Sequence, residues 1–455
     1  MRILQSRFRP IKRILNLIVN FRLSFFLVLC LTLGGTSQNI VTPKLPLYLY
    51  SLFMIGISMN ALNKDSRLWQ LKPILLIWIV FFFTHMLYLI PLPPSLWGSL
   101  GGREIIRHGF EILEVSLPWL PISVTPEKTL FSLFDFLPIL AIILMIGTVV
   151  SSREFRFTLW TLGVSVIGLA ILGLLQVSGS FPGLYFYEFT DTGSAVGVFS
   201  NANHYGVLLL MCIPLIVFLA DYHRENANFR VNITYAFCVV AVLSAVLGIG
   251  LSGSLSGYLL FIPVFAMALF LWTSGEKLKY IYLIGIVISF LGFLLFDIFL
   301  WNDLHSEITD KFTSTDKMSR TIMFENSYEI GKTYFPFGSG PGSFSDSYRL
   351  IEETTRLTVP HAHNDYIELF VEFGILGLIG ISLTILWLTK LIFTSFSAKR
   401  RHSNLAKYLA ISICLVVVHS LIDYPLRTIA IMALASFYLC SILLSHKDSS
   451  LLDYD

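Results

Sequence analysis

The sequence carries too little charge for a soluble protein of its size. Of its 455 residues, 13% are Asp, Glu, Lys or Arg and 55% are hydrophobic, and the mean hydropathy is +0.73. Soluble domains usually contain roughly a quarter charged residues, so this chain could not cover a large apolar core with polar surface. The net charge of +3 gives no basis for nucleic-acid binding. The composition therefore predicts an integral membrane protein.

Cysteines are also scarce, and they are not spaced as ligands. None forms a Cys-x-x-Cys pair or lies near a histidine cluster, and all five lie within apolar runs: Cys30, Cys212, Cys238, Cys414 and Cys440. Such positions indicate small core side chains rather than disulfides or structural zinc ligands. No other residues show the spacing of a metal site, so neither a metal nor a cofactor is expected.

Long apolar runs dominate the chain. A bilayer core of roughly 30 Å needs about 20 apolar residues per helix, and the runs predict an all-α protein with about twelve transmembrane helices. The basic N-terminus resembles a secretory signal, but no clean cleavage site follows, which favours a retained first helix. The predicted spans are 22–40, 44–62, 73–91, 129–150, 157–177, 202–220, 232–250, 256–273, 280–300, 366–394, 406–424 and 428–445.

The distribution of Lys and Arg predicts the orientation. With the N-terminus in the cytoplasm, more than half of the 32 Lys and Arg residues fall on the cytoplasmic side, as expected for short inner loops. Both termini are then cytoplasmic. The predicted organisation is an N-terminal group of about nine spans (1–300), a large external loop (301–365) and a C-terminal group of spans (366–445).

Polar residues concentrate outside. Segments 92–128 and 178–201 are rich in Pro, Gly and aromatic residues, as is typical of segments that lie along the membrane interface. The loop 301–365 contains a predicted helix near 318–333, followed by a Gly-rich turn at 337–342. Function is therefore expected on the external face.

The segment that leads into the tenth span carries the clearest pattern. Asp365 with Glu368 reads as a capping box for that helix, which would place His363 just outside the positive end of the helix dipole. That position favours a neutral imidazole, the form that can accept a proton. Taken alone, an external histidine is more often an ordinary surface residue, and Asp365 and Glu368 could act only as caps.

Two further features lie on the same helix. Gly374, Gly377 and Gly380 recur every three residues, which predicts close approach of a neighbouring helix. Glu372 lies one turn beyond Glu368 and deep enough that leaving it unpaired would be costly. We expect it to pair with a cation or to line a hydrated cavity.

Four motifs together resemble the O-antigen ligase/O-antigen polymerase superfamily. The most specific is the run from His363 through Asn364, Asp365 and Glu368 to Gly377. The others are 199–205, which contains Asn203 and His204, then Ser319-Arg320 followed by 338–344, and 419–427. They occur in the expected order over about 195–430.

The resemblance implies a GT-C-like, metal-independent, inverting glycosyltransferase at the periplasmic face of a bacterial inner membrane. Its donor would be an oligosaccharide on undecaprenyl diphosphate. The product would be lipopolysaccharide O-antigen or exopolysaccharide, and envelope polysaccharide assembly proteins are possible partners. By this resemblance His363 is the catalytic base, and Arg320 and Arg427 bind the donor diphosphate. Supporting or acceptor-binding roles fall to His361, Asn364, Asp365, Glu368, Glu372, Asn203 and His204.

One position departs from the family pattern, and several alternatives stay open. Leu255 stands where many members carry arginine, so Arg427, Arg349 or Arg356 would have to supply the second diphosphate contact. His419 and Asp423, one helical turn apart, could be only a local polar pair. The sequence favours a polymerase, with a ligase acting on lipid A-core as the alternative, and it does not exclude a protein O-glycosyltransferase.

Two hypotheses of other classes remain. Twelve spans are common in secondary transporters, but these usually show internal repeats and interrupted helices in both halves, and no such match occurs here. A non-catalytic scaffold would fit if Leu255 reflected lost activity.

Overall fold

The computed structural model describes residues 21–38, 41–63, 66–224, 229–273, 320–350, 359–397 and 403–446. These residues are mostly helical. Their helices are α1 (Arg22–Leu33), α2 (Val41–Asn60), α3 (Lys72–Tyr88), α4 (Pro94–Trp97), α5 (Glu104–Ile112), α6 (Pro126–Phe134), α7 (Leu137–Thr148), α8 (Ser152–Val177), α9 (Ala202–His223), α10 (Phe229–Ser252), α11 (Leu255–Trp272), α12 (Arg320–Thr333), α13 (Phe344–Arg349), α14 (Asp365–Ser397), α15 (Ser403–His419) and α16 (Ile429–Ser445). Short 3-10 helices cover Arg67–Leu71, Pro182–Leu184 and Pro425–Arg427.

Several of these helices suit a bilayer. Among the described residues, seven helical segments are long and apolar enough to cross a membrane: Arg67–Tyr88, Pro126–Thr148, Ser152–Val177, Ala202–His223, Asn232–Ser252, Leu255–Trp272 and Asp365–Ser397. Three shorter apolar helices accompany them, within α1, α15 and α16. A helix lies at every predicted span except 280–300, which is outside the described residues. The helical, multi-span character is confirmed, whereas the count of twelve stays a prediction.

Helix α9 forms the centre of the bundle. It packs against α8, α10, α11 and α15, and its residues from Tyr205 to Ala220 are buried. Outward-facing helices keep large apolar side chains exposed, for example Phe83 on α3 and Leu243 on α10. An apolar exterior around a buried core is the arrangement expected where the solvent is lipid. The cysteines pack as predicted: none forms a disulfide, and all but the half-buried Cys414 are buried.

Helix α14 is broken at Gly374. This residue has φ 55° and ψ −129°, a conformation that L side chains rarely adopt. The break frees backbone groups that the Gly-rich turn then satisfies. The amides of Ser339 and Gly340 donate to the carbonyls of Val371 and Glu372 at 2.9 Å each, and the amide of Ile375 donates to Pro336 at 2.8 Å. The turn is thereby fixed against the part of α14 around Gly374.

The three glycines of α14 differ in what surrounds them. A Cβ at Gly374 would lie 2.1 Å from the Pro336 carbonyl oxygen, which belongs to the turn and not to a neighbouring helix. At Gly377 the nearest atom is the carbonyl oxygen of Leu369, within the same helix, and at Gly380 no atom of the described residues lies within 4 Å. Among the described residues the atoms nearest these glycines belong to no neighbouring helix, so the helix-packing role stays a prediction, and at Gly374 the glycine permits the break in α14.

Segment 92–128 forms a small structure against the same turn. Strands β1 (Pro91–Leu92) and β2 (Leu120–Pro121) pair in antiparallel register, and α5 buries none of its residues. The amide of Val124 donates to Ser339 at 2.9 Å, and the hydroxyl of Thr129 donates to the Pro341 carbonyl at 2.7 Å.

The helix predicted near 318–333 is confirmed as α12.

Candidate functional site

A guanidinium surrounded by three carboxylates lies at the N-terminal end of α14. Asp365, Glu368 and Glu372 share one face of the helix because they are spaced three and four residues apart. Arg427, in the 3-10 helix after α15, meets all three. Its Nη1 donates to Glu372 Oε2 at 2.8 Å, and its Nε lies 3.4 Å from Glu368 Oε1 and 3.7 Å from Asp365 Oδ1.

Arg427 keeps its positive charge because of its three acidic neighbours. Burial alone would lower its pKa, but Glu368, Glu372 and Asp365 together raise it above its usual value. The guanidinium is therefore always charged, and its charge is already offset by its neighbours. Among the described residues its Nη2 atom has no hydrogen-bond partner.

The helix cap differs from the predicted capping box. Asn364, not Asp365, caps α14, because its Oδ1 accepts from the amides of Tyr366 at 2.9 Å and Ile367 at 3.1 Å. Asp365 instead accepts from the hydroxyl of Ser420 at 2.8 Å. The prediction failed because a Ser/Thr/Asp-x-x-Glu spacing does not distinguish a cap from a buried carboxylate that makes tertiary contacts.

Glu368 anchors the loop that precedes the helix. Its Oε2 accepts from the amide of Ala362 at 3.0 Å, and its Oε1 lies 2.8 Å from His361 Nδ1. The carboxylate thus holds the chain on the N-terminal side of His363. It is 1% exposed, so these contacts replace water as its hydrogen-bond donors.

His363 faces Asp423. Its Nδ1 lies 3.3 Å from Asp423 Oδ1, an ion-pair distance without the alignment of a good hydrogen bond. The backbone of His363 has φ 50°, an uncommon conformation for a residue other than glycine and a type of strain that clusters at functional sites. The group nearest the ring is therefore a carboxylate, whereas the sequence pointed only to the helix dipole.

Asp423 is an ionised, buried acceptor. Burial would raise the pKa of its carboxyl, but the contact with His363 and the nearby imidazoles of His204 and His419 hold that pKa well below its usual range. The side chain also accepts from the Tyr424 amide at 2.9 Å. A permanent carboxylate at this position favours a proton on the facing nitrogen of His363.

A chain of polar side chains continues from Asp423 into the bundle. Asn203 Nδ2 donates to Asp423 Oδ2 at 2.8 Å, and Asn203 Oδ1 accepts from Ser254 at 2.7 Å. Ser256 lies 3.1 Å from Ser254 and 3.1 Å from His419 Nε2. These serines flank Leu255, so the position that departs from the family pattern lies beside a polar network that reaches His363.

Tyr424 packs against three histidines. His361 stacks on its ring with centroids 4.3 Å apart, and His204 and His363 meet it edge-on at 4.8 and 4.9 Å. His204 is completely buried, and its Nε2 lies 3.8 Å from Asp423. The ring therefore separates His361, on the Glu368 side, from His363, on the Asp423 side.

A cavity of about 430 Å³ opens beside Arg427. Its lining includes His361 but not His363, and it combines charged groups with aromatic rings. The charged and aromatic lining residues are His85, Lys128, Asp135, His361, Asp365, Glu368, Glu372, Arg427, Phe81, Phe136, Phe344 and Phe373. At one side of the cavity, Lys128 pairs with Asp346 at 2.6 Å.

Most of the predicted site residues meet in one region. His361, His363, Asn364, Asp365, Glu368, Glu372, Arg427, Asn203 and His204 lie within two adjoining groups, one around Arg427 and one around Asp423. Arg320 is the first residue of α12, but its side chain lies outside the described residues, as does Arg356. Arg349 lies at the end of α13. Glu325 and Glu329 on α12 are exposed.

Some participants were not singled out from the sequence. Asp423 was considered only as a partner of His419, and Tyr424, Ser254, Ser256 and Lys128 were not considered as site residues. Tyr424 and Asp423 both lie inside the 419–427 pattern, which was therefore the available signal. Among the described residues no three His, Cys, Asp or Glu side chains converge as a metal site.

Comparison with known proteins supports the resemblance over part of the chain. The comparison with curated proteins found no match. A family model described as O-antigen ligase (Wzy_C) matches residues 239–382, which include α11, α12 and the start of α14. This match, over less than half of the chain, supports placing that region in the O-antigen ligase/O-antigen polymerase superfamily.

Proposed function

We propose that the protein is a glycosyltransferase that joins glycans carried on a lipid diphosphate. The observation that carries the proposal is the His363–Asp423 pair at the N-terminal end of α14, in which His363 lies within the residues 239–382 that match the O-antigen ligase model. An imidazole held by a buried carboxylate is a common arrangement for a general base. The enzyme would be inverting and metal-independent, with undecaprenyl diphosphate as the donor's carrier.

In the proposed reaction His363 accepts the proton of the acceptor hydroxyl. With the proton on Nδ1, the nitrogen that faces Asp423, the Nε2 atom is the acceptor, and Asp423 stabilises the imidazolium that forms. The hydroxyl oxygen then attacks the anomeric carbon of the donor sugar as the bond to the diphosphate breaks. One attack of this type inverts the anomeric configuration. Asn203 positions Asp423, and so acts on His363 indirectly.

The donor diphosphate is proposed to contact Arg320, because a planar guanidinium matches phosphate oxygens and stabilises the charge of the leaving group. Arg427 was assigned the same role from the sequence. Its contacts with Glu368 and Glu372 favour a different one, the positioning of the three carboxylates, since a phosphate would have to compete with groups already bound.

The proposed product is an O-antigen or exopolysaccharide polymer, assembled at the periplasmic face of the bacterial inner membrane. A ligase that transfers the finished glycan to lipid A-core is the second candidate, and the family match supports both candidates equally. No comparison supports the transporter alternative. Both termini are proposed to be cytoplasmic.

Deletion of the gene followed by analysis of envelope glycans tests the proposal. Single repeat units on the core would identify a polymerase, and long chains retained on the lipid carrier would identify a ligase. Complementation with His363→Ala should leave the deletion phenotype unchanged although the variant inserts normally. Full complementation by that variant would refute the role of His363, and an unchanged glycan in the deletion strain would refute the function.

Substitution of Arg320 separates charge from geometry at the proposed diphosphate contact. Arg320→Lys keeps the positive charge but loses the two-pronged guanidinium. We expect a raised KM for the lipid-linked donor. Equal kinetics for Arg320→Lys and the wild type would rule out bidentate recognition of the diphosphate by this residue.

A further inference from the structure

Three side chains connect Asp423 to His419 through hydrogen bonds. Asn203 Nδ2 lies 2.8 Å from Asp423 Oδ2, and Asn203 Oδ1 lies 2.7 Å from Ser254 Oγ. Ser254 Oγ lies 3.1 Å from Ser256 Oγ, which lies 3.1 Å from His419 Nε2. Asp423, Ser254 and His419 are buried, and the other two are half-buried. Buried polar groups satisfy one another, so the donor of each bond is decided within this hydrogen-bond chain.

The direction of each bond follows from the carboxylate at one end. Ionised Asp423 can only accept, so Asn203 presents its amide nitrogen to Asp423 and its amide oxygen to Ser254. Ser254 then donates its single proton to Asn203 and must accept from Ser256. Ser256 has thereby used its own proton and can only accept from His419. The Nε2 atom of His419 therefore carries a proton.

Ser254 makes every hydrogen bond that a hydroxyl group can make, one as donor and two as acceptor. It donates to Asn203 and accepts from Ser256. It also accepts from the Gly257 amide at 3.1 Å, as the N-cap of α11. The cap fixes Ser254 at the start of a membrane helix, so the hydrogen-bond chain joins α11 to the carboxylate that faces His363.

We propose that Ser254 and Ser256 are positioning residues for the base His363. They form the centre of a one-way hydrogen-bond chain that runs from His419 to Asp423. The chain holds the Asp423 carboxylate in the orientation that keeps a proton on Nδ1 of His363 and leaves Nε2 as the acceptor. The inference rests on the proposed glycosyl transfer and adds residues that act on its base through others.

Kinetics with lipid-linked substrate test the positioning role. Ser254→Ala leaves Asn203 without the donor that orients its amide, so we expect kcat to fall about 10–100-fold with KM unchanged. Ser256→Ala should lower kcat by less, because Ser254 keeps its own bond to Asn203. Ser256→Thr retains the hydroxyl and should restore the wild-type kcat. An effect confined to KM would overturn the proposal.

A matched control separates the hydrogen-bond chain from the helix cap. Ser151 caps α8 by accepting from the Glu154 amide at 3.2 Å, and it lies outside the hydrogen-bond chain. Ser151→Ala should lower Tm, because a cap is lost, but should keep the wild-type kcat. A folded Ser254→Ala variant with the kcat of Ser151→Ala would overturn the positioning role. If Ser254→Ala misfolds, equal kcat values for Ser256→Ala and Ser256→Thr would do the same.

Nitrogen NMR tests the hydrogen-bond chain without turnover. In protein with isotopically labelled histidine in lipid bilayers, the chemical shift of each ring nitrogen shows whether it carries a proton. We expect a protonated Nε2 at His419, with the signal assigned by its loss in His419→Gln, and a weaker preference for that form in Ser256→Ala. Ser254→Ala should lower the fraction of His363 that carries its proton on Nδ1. An unprotonated His419 Nε2 in the wild type would overturn the proposal.

Failure of the proposed function and failure of the hydrogen-bond chain give different results. A wild-type protein that transfers no glycan, yet shows a protonated His419 Nε2 that Ser256→Ala disturbs, would contradict the function and support the hydrogen-bond chain. Glycan transfer by a wild-type protein whose His419 Nε2 is unprotonated would contradict the hydrogen-bond chain alone.

Discussion

Nδ1 of His363 lies 3.3 Å from Oδ1 of Asp423, across the interface between the start of α14 and the turn after α15. Besides this contact, Asp423 accepts hydrogen bonds from Nδ2 of Asn203 and from the Tyr424 amide. These groups together enclose its carboxylate. The base proposed from the family motif is therefore oriented by a residue from a different motif. Removal of either member should damage the reaction while the rest of the bundle persists.

Substitution of Asp423 tests the orienting role. Asp423→Asn keeps the size of the side chain but removes the charge that favours a proton on His363 Nδ1. We expect kcat to fall by about 10²–10⁴-fold with little change in KM, measured with lipid-linked substrate and purified protein. Glu325→Gln should keep wild-type kinetics. An Asp423→Asn variant that changes KM alone would indicate a substrate-binding role instead.

Arg427 holds three carboxylates together, so its loss should be structural as well as functional. Arg427→Gln leaves Asp365, Glu368 and Glu372 without their shared cation, and breaking such a buried pairing costs about 3–5 kcal/mol. Thermal unfolding in detergent should show a clear fall in Tm. The matched control is Arg107→Gln on α5, where an exposed contact with Glu111 contributes little. Similar Tm values for the two variants would contradict the buried cluster.

The break in α14 predicts a sharp difference between two glycines of one helix. Gly374→Ala forces a side chain into a positive-φ position and places its Cβ 2.1 Å from the Pro336 carbonyl, so a loss of at least about 1–3 kcal/mol is expected. The Cβ of Gly380→Ala meets no atom within 4 Å in the described part of the chain, so this substitution should leave Tm unchanged or slightly raised. Equal tolerance of the two substitutions would mean that α14 is continuous.

The lowered pKa of Asp423 predicts how stability depends on pH. Its usual value is 3.8. Because the folded state holds the pKa below this, the unfolded chain binds the proton more readily, and the carboxylate adds stability that is present above about pH 4. That stability is lost only as the pH falls through the pKa that Asp423 has in the folded state. The Tm advantage of the wild type over Asp423→Asn should therefore not shrink between pH 8 and pH 5, and shrinkage there would show that Asp423 titrates in that range.

Local patterns predicted the helices well. The apolar runs located α8, α9 and α16 because roughly 20 consecutive apolar residues have no stable position other than a membrane or a large core. The Gly-rich turn after α12 was also predicted. In the structure three of its glycines adopt positive φ, at Gly338, Gly340 and Gly342. The break at Gly374 was not predicted, because a glycine inside an apolar run is compatible with a continuous helix.

At the site, spacing along the chain identified residue types but not partners. The 361–372 segment was selected as a whole, and the structure brings Arg427 to its three carboxylates. The predicted capping box was wrong because Asn364 competes with Asp365 for the same amides. Asn364 caps the helix because the carboxylate of Asp365 makes tertiary contacts instead. Tyr424 and Ser256 were missed because neither has a local spacing that indicates chemistry.

The amino-acid sequence by itself determined that this protein is helical and apolar, that its polar residues gather between the apolar runs, and which motif carries the histidines. Those properties depend on composition and on contacts between near neighbours in the chain. Only the tertiary structure decided that His363 faces Asp423 and that Arg427 is enclosed by Asp365, Glu368 and Glu372. Such pairings join residues far apart in sequence, and they exist because packing of α14 against α15 removes water from charges that must then satisfy one another.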